Sequence, residues 1–283
     1  DGEYLNNQRW NGNGKVYRNG QLIYEGGYLN GEKNGYIKEY SLYYGHLLVE
    51  GEYLNGKKNG KIKEYDRHYG KLILEGNYLN GEKSGYIKLY DISNGKLILE
   101  GNYLNDKKNG YIKRYDSDNG NLILEGNYLN DKRNGYIKEY NRNNGKLELE
   151  GDYLNDEKNG DIKEYTDNGK LLIEGKYLND KKHGFVKEYS DNKLIFEGEY
   201  IKGKRNGKGK EYNKNELIFE GEYLNDKRWN GKGKEYGSNN KLIFEGEYLG
   251  GKKNGRVIEY YDNGKISFEG EYKNGERNGK GKE

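Results

Sequence analysis

Three histidines are the only side chains in this sequence that ordinarily titrate near neutral pH, and they limit its catalytic chemistry. They are His46, His68 and His183, in a chain without cysteine. None has a second histidine four residues away, as a helical zinc site needs, and no Ser–His–Asp pattern surrounds them. The sequence therefore predicts no catalytic residue, no metal ligand and no cofactor, and it places these histidines in solvated turns.

Two segments resemble ligand-binding loops only in part. Residues 203–209, GKRNGKG, lack the spacing, the Ser or Thr and the following helix of a phosphate-binding loop. Residues 116–120, DSDNG, have glycine one position too early for a calcium loop and no closing glutamate. Both segments are predicted to be ordinary turns.

Composition and charge exclude further classes of protein. The 283 residues are 31% hydrophobic, with 50 basic and 47 acidic side chains. This near balance makes a nucleic-acid partner unfavourable. No apolar run approaches the ~20 residues of a transmembrane segment, and no signal peptide is recognisable, which favours an intracellular or virion setting over a secreted one.

A repeat of 23 to 25 residues organises the whole chain. A Gly-x-Tyr step marks each copy, and the 32 tyrosines recur at a fixed phase, which argues against disorder. The chain starts and stops inside a repeat, so we expect one continuous array over residues 1–283, with about eleven repeats and both ends cut within a repeat. The step glycines are Gly2, Gly26, Gly51, Gly76, Gly101, Gly126, Gly151, Gly175, Gly198, Gly221, Gly246 and Gly270.

The copy at residues 96–120 shows the first strand of the repeat clearly. Residues 97–104, LILEGNYL, are rich in aliphatic and aromatic side chains between turn signals. Alternation places Leu99, Gly101 and Tyr103 on one face. We expect the Tyr103 ring to lie over Gly101, since an aromatic ring can compensate for a glycine in a strand.

A turn, a second strand and a return turn complete the repeat. Residues 105–110 contain the Asn and Gly that supply positive φ in hairpin turns, and residues 111–115 form the shorter strand. Ile112 and Tyr115 are three residues apart, which puts them on opposite faces unless a β-bulge intervenes. The expected fold class is all-β, a single-layer twisted ribbon or solenoid of tandem antiparallel β-hairpins.

Copies of the repeat differ in a way that indicates packing. The residue before Glu-Gly and the residue two after the later Asn-Gly are both aliphatic in six repeats, as in Leu99 and Ile112. Five repeats have an aromatic residue at the first position, and three of these have glycine at the second, as in Phe219 and Gly233. Tyr24 with Ile37 and Phe244 with Val257 are the exceptions. Because close packing requires a small residue opposite a large one, we expect the two positions to share a volume.

Residues 219–236, FEGEYLNDKRWNGKGKEY, resemble a MORN repeat. That motif is aromatic-x-Gly-x-aromatic, which Phe219, Gly221 and Tyr223 match, followed by Asn-Gly-Lys and a Gly-x-Gly that ends at Gly233. The Asn-Gly-Lys-Leu and Glu-Gly-x-Tyr form is similar to a bacterial variant, some of it described as antitoxin-like. Repeats two to eight have Tyr-Ile-Lys or a similar run in place of Gly-x-Gly.

The resemblance implies a single-layer array of hairpins and no catalysis by the repeats. It also implies roles in scaffolding, dimerisation or membrane-associated assembly, and phospholipid binding has been proposed for such proteins. The matching Gly and Tyr positions fit a structural role better than a lipid site.

Pairs of basic residues occupy one position of the repeat. With ~10 Å per repeat they would form a row of cations on the turns, able to meet anionic phospholipid or nucleic-acid phosphates. Acidic residues interrupt this row, so solvated turns that protect a sheet edge are the simpler interpretation. The pairs include Lys107 and Lys108, Lys132 and Arg133, and Lys227 and Arg228.

The two tryptophans share one sequence context. Trp10 and Trp229 each lie in an Arg-Trp-Asn-Gly insertion of the same turn. An exposed tryptophan there could anchor a partner, whereas a ring folded over the neighbouring hairpin would be structural.

A single layer of strands cannot bury tyrosine and leucine on both faces, so apolar surface should remain for a protein partner or a second copy. The sequence therefore favours a non-catalytic structural scaffold that mediates protein–protein assembly. Two alternatives stay open: peripheral attachment to an anionic membrane through the basic turns, and a toxin-neutralising module, which depends on the resemblance to the bacterial variant.

Overall fold

The computed structural model describes residues 2–283, which form β-strands and turns without a helix. Each pair of successive strands within the two units defined below is antiparallel, and the all-β fold of tandem hairpins is confirmed. None of the described residues forms a helix long and apolar enough to cross a membrane. The strands are β1 (Gly2–Leu5), β2 (Gln8–Arg18), β3 (Gln21–Leu29), β4 (Glu32–Tyr40), β5 (Leu47–Leu54), β6 (Lys57–Tyr65), β7 (Leu72–Leu79), β8 (Glu82–Tyr90), β9 (Leu97–Leu104), β10 (Lys107–Tyr115), β11 (Leu122–Leu129), β12 (Lys132–Tyr140), β13 (Leu147–Leu154), β14 (Glu157–Tyr165), β15 (Leu171–Leu178), β16 (Lys181–Ser190), β17 (Lys193–Ile201), β18 (Lys204–Asn213), β19 (Glu216–Leu224), β20 (Lys227–Tyr236), β21 (Leu242–Leu249), β22 (Lys252–Tyr260), β23 (Ile266–Lys273) and β24 (Glu276–Lys282).

The chain divides into two compact units. The N-terminal unit runs to Leu147 and includes Leu154–Asp156, and the C-terminal unit comprises Glu148–Tyr153 and Glu157–Glu283. Each unit repeats the same hairpin, and the single continuous array over residues 1–283 stays a prediction.

The hairpin turn is shorter than the sequence predicts. Asn105 and Asp106 alone connect β9 to β10, with φ of 49° and 64°. Positive φ at both central residues is the geometry of a two-residue hairpin turn, and its twist matches that of the strands. Lys107 therefore begins the second strand instead of lying in the turn, which corrects the predicted boundary of residues 105–110.

One face of each hairpin, which we call the core face, carries the buried side chains. Leu99, Tyr103 and Ile112 lie there, and Ile112 is fully buried, with 0% exposure. Tyr115 lies on the opposite face, where its hydroxyl donates to Glu100. Ile112 and Tyr115, which are three residues apart, therefore lie on different faces of the sheet, and each makes contacts on its own face.

Glycine at the step permits two strands to approach closely. Gly101 pairs with Ile112, and a Cβ at Gly101 would lie 2.8 Å from the Ile112 Cα and 2.7 Å from its Cδ1. Gly101 has φ of 151°, where side chains are rarely found. The side chain nearest to this glycine is therefore Ile112 from the partner strand, and a Tyr103 ring over Gly101 stays a prediction.

Aromatic repeats of the C-terminal unit fill the same space with a ring. A Cβ at Gly233 would lie 2.8 Å from Cδ2 of Phe219, and one at Gly221 would lie 2.9 Å from its Cζ. Tyr223 packs edge-on against the same ring, with centroids 5.2 Å apart. The phenylalanine occupies the volume that isoleucine takes in the aliphatic repeats, and this accounts for the exchange between Phe and Gly.

Candidate functional site

Two of the three histidines lie close together. Tyr44 stacks on His46 with ring centroids 6.0 Å apart and meets His68 edge-on at 5.6 Å. Both histidines are in return turns of successive repeats, whereas His183 lies in β16. Within residues 2–283 no three His, Cys, Asp or Glu side chains gather as a metal site would require. The sequence did not indicate the contact between Tyr44 and His68 because it depends on how neighbouring repeats stack.

The basic pairs lie on the second strand of each hairpin, not on its turn. Lys107 is the first residue of β10, pairs with Leu104 and is exposed on the opposite face. Lys108 points to the core face, where its Nζ lies 5.4 Å from the centroid of Tyr128 in the next repeat. Each pair therefore contributes one solvated cation and one cation that packs on a ring.

The same division holds for the other pairs. Lys132 and Lys227 are exposed, as Lys107 is. Arg133 forms an ion pair with Glu139 at 2.6 Å. The Arg228 guanidinium lies 4.8 Å from the Phe219 ring centroid. Arg133 and Arg228 are thus engaged by the fold and are less available to a partner than the sequence suggests.

A Lys–Glu–Tyr cluster recurs on the core face. Lys58 Nζ lies 2.6 Å from Glu64 Oε1, and the Tyr78 hydroxyl of the next repeat donates to the same oxygen at 2.6 Å. Because Lys58 and Glu64 share β6 while Tyr78 belongs to β7, the cluster joins consecutive repeats. The same arrangement occurs in Lys33, Glu39 and Tyr53, in Lys158, Glu164 and Tyr177, and in Lys182, Glu188 and Tyr200.

Arginine extends this network in the C-terminal unit. Arg205 contacts Glu188 at 2.7 Å and Glu211 at 3.1 Å, and its guanidinium lies 3.9 Å from the Phe196 ring centroid. Burial alone would raise the pKa of Glu188, but hydrogen bonds from Lys182 and Arg205 outweigh it and lower that pKa below 4.5. The carboxylate is therefore held ionised, and its role is to fasten the repeats.

Turn aspartates also act within the fold. Asp106 Oδ1 accepts a hydrogen bond from the Lys83 amide at 3.0 Å, and Asp131 Oδ1 accepts one from the Lys108 amide at 2.9 Å. Each turn is thus attached to the second strand of the preceding repeat. The acidic residues that interrupt the basic row have a structural explanation of their own.

Both tryptophans cover a glycine of the next hairpin turn. A Cβ at Gly31 would lie 3.6 Å from Trp10 Cε3, and one at Gly251 would lie 3.3 Å from Trp229 Cε3. Trp229 remains 38% exposed. The rings fold over the neighbouring hairpin, as in the structural alternative, and Trp229 still offers an edge to solvent.

The opposite face of the N-terminal unit carries exposed apolar side chains. Tyr111 is 44% exposed, and Leu104 is 48% exposed. The Tyr111 hydroxyl donates to Glu125 at 2.7 Å, so the ring is held in place. Tyr86 and Tyr136 repeat this position in the preceding and following repeats, and both are exposed. We call Tyr86, Tyr111 and Tyr136 the tyrosine ladder.

An open groove of about 600 Å³ adjoins the tyrosine ladder. It lies where Lys61 occupies the position that tyrosine has in the repeats on either side, Tyr36 and Tyr86. Glu50 and Lys88 also line it. The substitution of lysine for a ring thus opens a depression with both aromatic and charged walls.

A family model described as MORN repeat matches residues 50–61, 196–216, 244–265 and 268–283. Three of these four segments lie in the C-terminal unit. In that unit the second strand most often has glycine opposite a phenylalanine ring of the core face. MORN repeats are protein-binding or membrane-binding modules, and the family is not a catalytic one.

No curated protein sequence matches the chain. Among solved structures, the crystal structure of TcdB2-TccC3 aligns over 94% of this chain at 14% identity, with a TM-score of 0.20. The crystal structure of TcdB2-TccC3-Cdc42 aligns over 92% at 14% identity, with a TM-score of 0.18. This chain spans 16% of the length of each. Likenesses at these scores carry no argument about function.

Proposed function

Since this chain belongs to the MORN repeat family, we propose that it is a non-catalytic structural scaffold that mediates protein–protein assembly. The observation that supports this role is the tyrosine ladder, with the exposed leucines beside it, on the opposite face of the N-terminal unit. Contiguous exposed aromatic and aliphatic side chains are typical of protein contact surfaces.

The tyrosines are suited to binding because their rings are already fixed. Tyr111 donates to Glu125, and Tyr36, at the same position of the second repeat, donates to Glu50 at 3.1 Å. A partner that covers these rings loses little side-chain entropy, and tyrosine provides both an apolar surface and a hydroxyl. Consecutive rings lie two strands apart, which is ~10 Å.

The occupant that we propose for this face is a second copy of the chain. Glu100 and Lys113 lie among the rings on the same face, so the surface carries both signs of charge. A surface of this kind can complement itself across a two-fold axis. The mixed charges then set the register while the rings supply the buried area.

Light scattering after size exclusion, from micromolar to millimolar concentration, tests this proposal. We expect concentration-dependent association that the double variant Tyr111→Ser and Tyr136→Ser abolishes. Tyr43→Ser is the matched control, because Tyr43 is an exposed tyrosine in a return turn. A chain that stays monomeric at the highest concentration would contradict self-assembly, and so would equal loss in the control.

Membrane attachment is a second candidate because of one feature of the C-terminal unit. Four successive repeats there place an exposed lysine opposite an exposed aliphatic residue, whereas glutamate interrupts this position in the N-terminal unit. Cations beside apolar side chains favour an anionic bilayer surface. The pairs are Leu178 and Lys181, Ile201 and Lys204, Leu224 and Lys227, and Leu249 and Lys252.

Cosedimentation with phosphatidylserine vesicles distinguishes this candidate from the first. Binding that weakens as salt rises, and that Lys204→Glu with Lys227→Glu removes, would support it. Absence of binding at low salt would exclude it. No feature of residues 2–283 favours a toxin-neutralising role.

A further inference from the structure

The Lys–Glu–Tyr cluster lacks its glutamate in the first repeat, which has Val16, and in two successive repeats further along the chain. Glu64 and Glu139 are the carboxylates of this position in the third and sixth repeats, and each forms an ion pair. The fourth repeat has Leu89 there, and the fifth has Arg114. Leu89 pairs with Leu99 of the adjacent strand, so the first substitution replaces a carboxylate with an aliphatic contact.

The cations that these carboxylates would neutralise are still present. The nearest carboxylate to Lys83 Nζ is Asp106 Oδ1 at 3.9 Å, compared with 2.6 Å for Lys58 and Glu64 in an intact cluster. Lys108 and Arg114 form no ion pair with any of residues 2–283. Arg114 is exposed. Three positive side chains therefore lie at two repeat positions where this chain has Leu89 and Arg114 in place of a carboxylate, which we call the vacant carboxylate positions.

Two phenols lose their acceptors at the same place. Tyr103 and Tyr128 take the position of Tyr78, whose hydroxyl donates to Glu64. Neither hydroxyl donates to another group among residues 2–283. The only side-chain atoms there that are buried without a partner are Asn34 Oδ1 and the Tyr223 hydroxyl, so the Tyr103 and Tyr128 hydroxyls reach solvent. They remain available as donors.

These donors lie along one line of the core face. Lys83 is on β8 and Lys108 is on β10, with β9 between them. Alternate strands are ~10 Å apart, so the two vacant positions are separated by about the same distance. In every intact cluster the group that joins the ammonium to the phenol is a carboxylate from this chain.

We propose that the gap at Leu89 and Arg114 is a binding site for an acidic segment of a protein partner. Its carboxylates take the two vacant positions and accept from Lys83, Lys108 and Arg114, and from the phenols. Charge-assisted hydrogen bonds of this kind are stronger than neutral ones. The site is on the core face, so it adds a second contact surface to the proposed scaffold role and does not depend on self-assembly through the tyrosine ladder.

Fluorescence anisotropy with a labelled hexaglutamate peptide at low salt tests the site. Arg114→Glu restores the residue that the intact repeats carry, so this variant keeps the fold and closes the site. We expect it to weaken binding by about tenfold or more. The control is Lys107→Glu, which makes the same change of charge one residue from Lys108 on the opposite face, where other repeats have Glu82 or Glu157. We expect binding by this control to stay within about twofold of the parent chain.

A second variant tests for gain of binding. Glu64→Leu copies the Leu89 repeat into its neighbour and should strengthen peptide binding by extending the vacant row. The proposal would be overturned if the Arg114→Glu variant bound the peptide as tightly as the parent chain. It would also be overturned if the Lys107→Glu variant lost as much affinity for the peptide as the Arg114→Glu variant. Inorganic phosphate that displaces the peptide at lower concentration than glutarate would also overturn it, because the site would then prefer phosphate to carboxylate. These outcomes are independent of the light-scattering result, which tests self-association through the tyrosine ladder on the opposite face.

Discussion

Gly209 should not tolerate a methyl group, because an aromatic ring already fills the space above it. A Cβ at Gly209 would lie 2.9 Å from Cζ of Phe196, 3.0 Å from its Cε2 and 3.1 Å from Cε2 of Tyr223. Phe196 has 0% exposure, and the two rings meet edge-on at 5.3 Å, so neither can move aside freely. Overpacking of this kind costs about 1–3 kcal/mol.

Hydrogen exchange of the amides in β17, β18 and β19 measures this cost locally, since a repeat array need not unfold in one step. For Gly209→Ala we expect exchange about 5- to 150-fold faster, which corresponds to the same free energy. Gly14→Ala is the matched control, because Gly14 has the same repeat position and a Cβ there would lie 3.7 Å from Arg9 Nε, an ordinary van der Waals contact. Equal exchange rates in Gly209→Ala and the parent chain would refute the packing argument, as would an equal cost in the control.

Three further predictions concern burial and charge. Ile112→Ala should cost about 2–4 kcal/mol because Ile112 is fully buried, whereas Leu104→Ala on the exposed face should cost less than about 1 kcal/mol; chemical unfolding compares them, and equal costs would contradict the assignment of faces. The pKa of Glu188 is lowered from 4.5, so its stabilisation is present above pH 4.5 and is lost as pH falls through the folded pKa; Glu188→Gln should flatten the acid limb of stability against pH, and an unchanged limb would count against the network. Burial and the hydrogen bond to Glu125 raise the pKa of Tyr111 to about 12, so its stabilisation is present below pH 10 and is lost as pH rises through 12; ultraviolet titration should lose one late-titrating phenol in Tyr111→Phe, and loss of an ordinary phenol near pH 10 instead would be inconsistent with this contact.

The fold was predictable because its signals are local and recur. Alternation in residues 97–104 fixes which side chains share a face, and Asn-Gly or Asn-Asp marks most turns. The turn boundary was less accessible, since Lys107 and Lys108 look like turn residues until the two-residue turn at Asn105 and Asp106 is known. Polarity alone does not show that a lysine can belong to a strand and cover a ring.

The site depends on contacts between repeats, and these were harder to predict. The replacement of glutamate by Leu89 and Arg114 is visible in the sequence. Its meaning requires knowing that Glu64 accepts from Tyr78 of the next repeat, a contact across strands. In the same way, the histidines appeared unrelated because they occupy different repeat positions, whereas stacked return turns bring His46 and His68 against Tyr44.

Side chains that recur in most repeats have neighbours in the fold to account for them. Step glycines admit the adjacent strand, core lysines cover tyrosine rings, and glutamates join both to the next repeat. Such positions carry little information about a particular partner, because any array of this fold needs them. Specificity must therefore come from the repeats that depart from the pattern and leave donors or apolar area without a partner in the chain. Arg114 and Lys61 are departures of this kind, one on the core face and one on the opposite face.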